Sequence, residues 1–416
     1  MAIQQVRCAW VLLIKTVAQQ ASGGDGDDDS PVFIDQADVD GEVVIDEQDL
    51  PDAEEDGDGE EEEEKEEEED GNEVDDSIHI FTGHAESVYA VACSPVESRV
   101  VATGGGDDKI FIWKIGDDAA PLELKEHKDS ISSLAFSFDG KLLASGGLDG
   151  VVCVWDGVGS LKHRLEGPGE DIVWLCWHPR GHILLAGSQD FSVWMWNADS
   201  GACLSVFTGH SGSVICGCFT PDGKLVCTGS SDCSLRVWNP RSGECIRNIQ
   251  GHPYHRGGVT CVAVGRDSSI ALTGSADGSV CLVNIQSGRV LGTLSGHTQA
   301  IEAIALSPRC SPAFLSLAAT GGRDKKLIVW DLQTLSVRLT CDHQDDVYRI
   351  IWSPSSEMIY TACLDGSVHA WDPRSGTRQK SFHGHSDGIL DMALTCDGMA
   401  IVSGSDDTTA RVFEVS

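Results

Sequence analysis

The chain has 416 residues and a formal net charge of −37 at pH 7, with 66 acidic residues against 29 lysines and arginines. Such a negative charge repels phosphates, which argues against direct nucleic-acid binding and favours basic protein partners. The hydrophobic content of 41% suffices for a large buried core, and the length alone would suggest two or three domains.

A short apolar run, residues 8–14, lies near the start of the chain. Seven residues are too few to span a bilayer, which needs about 20. A signal peptide has a core this short and stays an alternative, but the stretch around residues 18–22 is the one place where a small-residue cleavage site could follow. We therefore expect a variable extension. The 16 cysteines show no Cys-x-x-Cys pairing and indicate small buried side chains in a reducing compartment.

The next segment, residues 23–76, is crowded with like charge. Twenty-nine of the acidic residues fall between Asp25 and Asp76, opposed only by Lys65. This composition cannot bury enough apolar surface to offset chain entropy. Residues 1–76 are therefore predicted to be a disordered extension with an acidic low-complexity tail. Two apolar islands, residues 32–34 and 43–45, fit short docking motifs and partnerless spacers equally well.

A unit of about 42 residues then recurs eight times. In each unit an aspartate lies six residues ahead of a Trp-Asp-like pair, at intervals of 41 to 47 residues. The aspartates are Asp107, Asp149, Asp190, Asp232, Asp277, Asp324, Asp365 and Asp407. The downstream positions are Trp113, Trp155, Trp196, Trp238, Val283, Trp330, Trp371 and Phe413. This period and its ending resemble the WD40 repeat.

Each unit has the pattern of four short antiparallel strands, with Asp-Gly hairpin signals at residues 139–140, 222–223 and 397–398. Units of this kind close into a ring because a closed ring leaves few exposed strand edges. We predict an all-β fold, an eight-bladed WD40 β-propeller over residues 77–416. The last unit lacks an outer strand of its own, so residues 77–82 are predicted to close the ring beside the C-terminal strand.

Five units carry His, Ser or Thr, Asp and Trp, which WD40 repeats commonly join in a buried hydrogen-bonded network. The sets are His84, Thr103, Asp107, Trp113; His127, Ser145, Asp149, Trp155; His210, Thr228, Asp232, Trp238; His297, Thr320, Asp324, Trp330; and His343, Thr361, Asp365, Trp371. The third unit has Gly169 and Ala186 instead, and the fifth and eighth end in Val283 and Phe413. Those three blades are predicted to be less rigid.

His, hydroxyl and Asp together also suggest a hydrolase, because that trio can activate a serine. Five equally spaced copies instead fit a structural device that satisfies buried polar groups. No nucleophile elbow, phosphate-binding glycine loop or His-Glu-x-x-His motif occurs. We therefore predict no enzyme, no metal and no cofactor.

Residues that follow each Gly-His-like turn are predicted to line the entrance of the central channel and to bind a partner. They are Glu86, Tyr89, Asp129, Asp171, Trp174, Glu302, Asp345, Asp346, Tyr348, Asp387 and Asp391. Acids interleaved with aromatics suit a Lys/Arg-rich peptide, whereas solvated loop tips are the alternative. An insertion at residues 253–256 fits either one side of a groove or a tolerated loop insertion.

The acidic tail, the segment Ile45-Asp46-Glu47 and the repeats beginning at Phe81-Thr82-Gly83-His84 resemble the angio-associated migratory cell protein family over residues 32–416. That family includes a fungal chaperone of a basic ribosomal protein, active in large-subunit assembly, and animal members linked to cell migration. The resemblance implies a non-catalytic scaffold or chaperone that binds a basic segment of a ribosomal protein. We expect a monomer in the cytoplasm, with the nucleus also open.

Two other functions stay open. Trp371-Asp372-Pro373-Arg374 resembles the box by which some WD40 substrate receptors dock on a cullin-RING ubiquitin ligase adaptor, and Trp238-Asn239-Pro240-Arg241 is a weaker copy. The same residues also fit an ordinary turn between strands. A signalling adaptor in cell migration is suggested by the family name alone.

Overall fold

A computed structural model of the protein describes residues 75–117, 119–308 and 317–415. These residues form 32 strands in eight four-stranded antiparallel sheets. The apolar run, the apolar islands and residues 1–74 of the predicted extension lie outside the described residues. Its predicted end at residue 76 is corrected, because Asp75 pairs with Arg411 and Asp76 is hydrogen-bonded to His383. Within the described ranges, no helix has the length and apolarity needed to cross a membrane.

The first strand, β1 (His79–Phe81), belongs to the last blade. Blades 1 to 4 then follow in chain order. Their strands are β2 (Val88–Cys93), β3 (Val100–Gly105), β4 (Ile110–Lys114) and β5 (Leu122–Leu124); β6 (Ile131–Phe136), β7 (Leu142–Gly147), β8 (Val152–Asp156) and β9 (Leu161–Leu165); β10 (Ile172–Trp177), β11 (Ile183–Ser188), β12 (Val193–Asn197) and β13 (Ala202–Phe207); and β14 (Val214–Phe219), β15 (Val226–Ser230), β16 (Leu235–Trp238) and β17 (Cys245–Ile249).

Blades 5 to 8 repeat this plan. Their strands are β18 (Val259–Val264), β19 (Ile270–Ser275), β20 (Val280–Asn284) and β21 (Val290–Leu294); β22 (Ile301–Leu306), β23 (Leu317–Gly322), β24 (Lys326–Asp331) and β25 (Ser336–Asp342); β26 (Val347–Trp352), β27 (Ile359–Cys363), β28 (Val368–Trp371) and β29 (Arg378–Phe382); and β30 (Ile389–Leu394), β31 (Ala400–Ser405) and β32 (Ala410–Glu414), joined by β1.

The blades form a closed ring. The first strand of each blade contacts the first strands of its two neighbours, from β2 and β6 around to β30 and back to β2. Large side chains fill the spaces between strands and blades, and Trp196, Trp238 and Trp330 are each 1% exposed. The eight-bladed all-β WD40 propeller predicted from the repeat is therefore confirmed.

The predicted Asp-Gly hairpins are present at all three sites. Gly140, Gly223 and Gly398 adopt φ values of 69°, 74° and 74°. This left-handed region is strained for residues with a Cβ atom, which is why glycine occupies it. The preceding aspartates accept hydrogen bonds within the same turns, as Asp139 does from Ser137 at 2.8 Å.

Residues 75–81, which we call the β1 clasp, connect the two ends of the ring. β1 pairs antiparallel with β32, with His79 opposite Val412 and Phe81 opposite Ala410. Phe81 also stacks on Trp113 of blade 1, with ring centroids 5.0 Å apart and an interplanar angle of 2°. Asp76 and His383 exchange two hydrogen bonds of 2.9 Å. The clasp therefore contacts blades 7, 8 and 1 together.

Candidate partner-binding face

The His-Asp networks are closed in four of the five predicted sets. The histidine Nδ1 lies 2.8 to 3.1 Å from the aspartate in the pairs His84–Asp107, His127–Asp149, His210–Asp232 and His297–Asp324. The tryptophan indole N–H donates to the Ser or Thr oxygen, whose hydroxyl donates to histidine Nε2. A neutral imidazole protonated at Nδ1 satisfies every group in this row of hydrogen bonds, because Nδ1–H donates to the aspartate and Nε2 accepts from the hydroxyl.

The networks hold the turns that face solvent. Each aspartate also accepts the backbone N–H of the residue after the histidine, as Asp107 does from Ala85 at 3.1 Å and Asp149 from Lys128 at 3.0 Å. Burial opposes ionisation of Asp107, but its hydrogen bonds with His84 and with the backbone N–H groups of Ala85 and Lys109 hold the pKa of this carboxyl below its usual value. The acidic residues that follow these histidines are therefore attached to a rigid support.

The network hydroxyls are inaccessible. Thr103, Ser145, Thr228, Thr320 and Thr361 are each 0% exposed. A hydroxyl that neither substrate nor water reaches cannot serve as a nucleophile. Among the described residues, no group of three His, Cys, Asp or Glu side chains is arranged to hold a metal ion.

Blade 7 departs from the predicted set. His343 Nε2 lies 2.9 Å from Thr361, but its Nδ1 lies 3.3 Å from the Cys341 carbonyl oxygen rather than on Asp365. Asp365 instead accepts hydrogen bonds from the backbone and hydroxyl of Ser367. The prediction that His343 and Asp365 complete a network is thus corrected: the carboxylate is bound by Ser367 and the imidazole by the Cys341 carbonyl.

Blade 5 has a network that the sequence pattern concealed. His255, from the inserted loop, lies 2.8 Å from Thr273, and Tyr254 donates its hydroxyl to the same Thr273 at 3.0 Å. Tyr254 thus replaces the indole N–H that Val283 cannot supply. Tyr254 and His255 are thus buried parts of blade 5, with exposures of 4% and 3%, whereas Pro253 and Arg256 at the two ends of the insertion are exposed.

Blades 3 and 8 also compensate in part. In blade 3 the backbone N–H of Gly169 donates to Asp190 at 2.9 Å, and Trp194 donates to Ser192 at 2.8 Å. In blade 8 His385 contacts Asp407 and Ser403, both at 2.7 Å, and Phe413 fills the tryptophan position without a donor. The turns of these blades are therefore held without the full residue set.

Four positions in each blade surround one end of the channel, and we call these the mouth residues. They are the two residues before the first strand, the residue of that strand that bulges, and the residue before the network aspartate. In all eight blades the backbone N–H of the last position donates to the carbonyl of the second at 2.9 to 3.1 Å, as in Gly106 to Ser87. This repeated bond gives equivalent positions in every blade.

Acidic side chains occupy much of the mouth. The acidic mouth residues are Glu86, Asp129, Glu170, Asp171, Glu302, Asp345, Asp346, Asp387 and Asp406. Arg323 is the one basic mouth residue. Of the predicted binding residues, Glu86 and Asp387 are exposed, and Asp129, Asp171, Asp345 and Asp346 are partly exposed. The structure therefore brings six predicted carboxylates to one face.

The acidic residues are distributed unevenly. They lie in blades 6, 7, 8, 1, 2 and 3, which we call the acidic arc. Blades 4 and 5, the neutral arc, have only small or uncharged residues at these positions. Those residues are Gly212, Ser213, Ile215, Ser231, Gly257, Gly258, Thr260 and Ala276.

Trp174 does not belong to the open face, and its predicted role in partner binding is corrected. It is 1% exposed and donates to the carbonyl oxygen of Val214 in blade 4 at 3.0 Å. A Cβ atom on Gly187 or Gly217 would lie 2.0 or 2.3 Å from its ring. The ring occupies the space that these two glycines leave between blades 3 and 4.

Tyr89 and Tyr348 are likewise covered, with exposures of 8% and 2%. The Arg349 guanidinium lies 4.8 Å from the centre of the Tyr348 ring. An internal cation thus already uses this aromatic face. The predicted cation–π contact between Tyr348 and a partner is corrected accordingly, and burial corrects the predicted exposure of Tyr89.

Asp391 and Glu302 are buried carboxylates with internal partners, which corrects their predicted exposure. Asp391 is 3% exposed, lies 3.1 Å from Arg349 Nε, and accepts the backbone N–H of Val91 at 2.8 Å. Glu302 is 4% exposed and lies 2.8 Å from Arg323 Nε. Asp391 joins blades 7, 8 and 1, whereas Glu302, itself a mouth residue, is covered by the Arg323 guanidinium.

Sequence reasoning missed Glu170 and Asp406. Glu170 is exposed and directly precedes Asp171. Asp406 precedes the network residue Asp407, is partly exposed, and accepts the hydroxyl of Ser87 across the junction of blades 8 and 1. The signal was available, because the residue before each network aspartate has a fixed place in the repeat.

The two Trp-Asp/Asn-Pro-Arg segments lie at the other end of the propeller. The Asp372 N–H donates to Thr377 and the Gly376 N–H to Asp372, at 3.0 and 2.8 Å, so residues 372–377 form a tight turn. Arg374 pairs with Glu357 in the β26–β27 turn. The same turn pattern joins β16 and β17, where Gly243 donates to Asn239 at 2.9 Å.

The chain is similar to known repeat proteins along the whole propeller. The family model of the WD domain, G-beta repeat, matches residues 75–114, 121–156, 159–197, 201–239, 243–284, 288–331, 335–372 and 376–414. The human angio-associated migratory cell protein is 35% identical over 349 residues, covering 82% of this chain and 80% of the relative.

Solved structures share the fold. The Chaetomium thermophilum Sqt1 bound to the N-terminus of the ribosomal protein L10 superposes with a TM-score of 0.76 at 27% identity, covering 82% of this chain and all of that one. Saccharomyces cerevisiae Sqt1 gives a TM-score of 0.74 at 23% identity, covering 82% of this chain and 99% of that one.

Proposed function

We propose that this chain, which belongs to the WD domain, G-beta repeat family and within it to the angio-associated migratory cell protein family, is a non-catalytic chaperone for a basic segment of a ribosomal protein. The segment would bind at the channel mouth. The acidic arc is the observation that carries this proposal. The likeness to a Sqt1 that was solved with the N-terminus of ribosomal protein L10 supports the choice of partner.

The face suits a basic peptide for a physical reason. Carboxylates held on rigid turns need no reorganisation to meet a cation, so little of the attraction is spent on ordering the binding site. Opposite charges steer the approach and reject acidic competitors. A newly made basic protein would otherwise bind nucleic acids through the same charges. The proposed role is to mask those charges until the protein is delivered, in the cytoplasm or in the nucleus.

The test is direct binding of the N-terminal segment of ribosomal protein L10 from the same organism. Glu86, Asp345 and Asp346 are changed together to lysine, and the dissociation constant is measured by fluorescence anisotropy at low and moderate salt. Reversal of three charges in the arc is expected to weaken binding at low salt by about 100-fold or more. The wild-type affinity itself should fall as salt rises.

The matched control reverses Glu97, Glu244 and Glu414, which are exposed and lie at the other end of the blades. It makes the same change in net charge and should alter the affinity about threefold at most. Arg374→Ala should leave peptide binding unchanged, since it lies in the turn of the ligase-like box. Equal effects of the two triple variants, or no binding by the wild type, would refute the proposal.

A further inference from the structure

Arg323 is out of place among the mouth residues. It is a cation in the acidic arc, at the position that Asp406 has in blade 8. Its Nε lies 2.8 Å from Glu302 Oε1, with 33% of the Arg323 side chain and 5% of that of Glu302 exposed. The guanidinium therefore covers a buried carboxylate and faces the mouth.

The carboxylates around Arg323 come from two blades. Glu302 is on the first strand of blade 6, and Asp346 lies just before the first strand of blade 7. Burial and the charge of Asp345 raise the pKa of Asp346, while Arg323 and Lys325 oppose that rise. Burial raises the pKa of Glu302, and Arg323 again opposes. Arg323 is thus electrostatically coupled to both carboxylates.

We propose that Arg323 is a built-in competitor, whose guanidinium occupies the Glu302 carboxylate that an arginine or lysine of the partner would otherwise use. This inference rests on the proposed function of the acidic face. A partner side chain must displace Arg323 before it reaches Glu302. The exchange replaces one ion pair by another, so it contributes little to affinity at this point.

The competitor would act on selectivity. A peptide with a single basic residue gains little at Glu302, because Arg323 already neutralises this carboxylate. A peptide with several basic residues also contacts Asp387, Asp406, Glu86 and the acids of blades 2 and 3, so its binding tolerates an unfavourable exchange at one site. Arg323 therefore raises the number of positive charges that a partner needs.

The experiment compares Arg323→Gln with Lys325→Gln. Lys325 lies on the same turn, is 51% exposed, and pairs with Asp345 at 3.2 Å, so its variant makes the same change in net charge. The probes are the L10 N-terminal segment and a peptide of equal length in which one arginine is kept and the other basic residues are replaced by glutamine.

Arg323→Gln is expected to tighten binding of the single-arginine peptide at least tenfold, and that of the full segment less. Lys325→Gln should tighten either by threefold at most. The gain should disappear in the double variant Glu302→Gln/Arg323→Gln, which restores a neutral pair. In the wild type, the NMR signal of the Arg323 Nε–H should shift when the full segment binds.

The outcomes are distinct. Equal effects of Arg323→Gln and Lys325→Gln would overturn the inference, because net charge alone would then explain them. Weaker peptide binding by an Arg323→Gln variant with unchanged melting temperature would also overturn it, and would make Arg323 a supporting residue. If neither wild type nor variant binds the L10 segment, the proposed function fails together with the inference.

Discussion

Three buried histidines of this propeller are held in the neutral state. Burial lowers the pKa of His255, His343 and His369 to about 4, from an ordinary value of 6.5. They are neutral in the folded protein at pH 6, whereas the unfolded chain binds protons there. The folded state therefore loses stability as the pH falls from about 6.5 to about 4, with no further loss from these groups below that range.

We expect His369→Gln to reduce this pH dependence. The His369 ring lies between Ser367 and Ser381, with contacts of 3.0 and 2.9 Å, and glutamine retains hydrogen-bonding capacity without titrating. One such histidine contributes at most about 3 kcal/mol to the loss between pH 6.5 and 4. The fall in melting temperature between pH 6.5 and 4.5 should be smaller in the variant. His383→Gln, on an exposed residue, is the control; equal falls in wild type and His369→Gln would contradict the prediction.

Tyr254→Phe should destabilise blade 5 by about 1 kcal/mol, because the buried hydroxyl of Thr273 loses the donor that replaces the missing indole. The free energy of unfolding can be measured by denaturant titration followed by tryptophan fluorescence. Tyr360→Phe is a fitting control, since its ring is equally buried but its hydroxyl lies 3.4 Å from Ser356. A loss in the control as large as in Tyr254→Phe would show that the Thr273 contact is not the cause.

Strands and their bulges explain which predictions from sequence held. Spacing of the aspartates predicted the blades, since each repeat must return the chain to the same turn. Side-chain direction could not be predicted at the first strands, because every one of them contains a bulge after its first residue, as between Ile172 and Trp174. A bulge shifts the alternation of faces by one residue. The side chains of Trp174 and Asp391 are therefore buried between blades instead of exposed at the mouth. Tyr254 was missed for another reason, because it lies in an apparently polar loop.

The β1 clasp is the element on which closure depends. Removal of residues 1–74 should leave the melting temperature within about 2 °C of the full chain, whereas removal of residues 1–81 should cost about 5 kcal/mol or more. The longer deletion removes a buried aromatic side chain and the backbone bonds to β32. A ring that is equally stable after both deletions would refute this account.

A point variant isolates the packing part of the clasp. Phe81→Ala should lower the free energy of unfolding by about 3–5 kcal/mol, since Phe81 is 8% exposed and stacks on Trp113. Ile80→Ala, on the adjacent residue of the same strand with 41% exposure, should cost less than about 1 kcal/mol. Similar losses in the two variants would mean that the stack adds little.

Charge is a property of the whole molecule. Twenty-nine acidic residues precede residue 77, and nine more lie at the mouth. We expect removal of residues 1–74 to slow association with a basic segment several-fold at about 50 mM salt and to leave dissociation unchanged, because long-range attraction acts on the approach. Stopped-flow fluorescence measures both rates. The difference in association should vanish near 0.5 M salt, and a persistent difference would indicate direct contacts instead.

The neutral arc affects the direction from which a cationic partner approaches the propeller. The mouth residues of blades 7, 8, 1, 2 and 3 carry net negative charge, whereas those of blades 4 and 5 carry none and Glu302 and Arg323 cancel in blade 6. The field of the mouth residues is therefore not symmetric about the channel axis. Attraction to a cationic chain therefore favours encounters in which blades 7 to 3 face that chain. Orientation is thereby set before collision, and the encounter is directed to one rim of the ring.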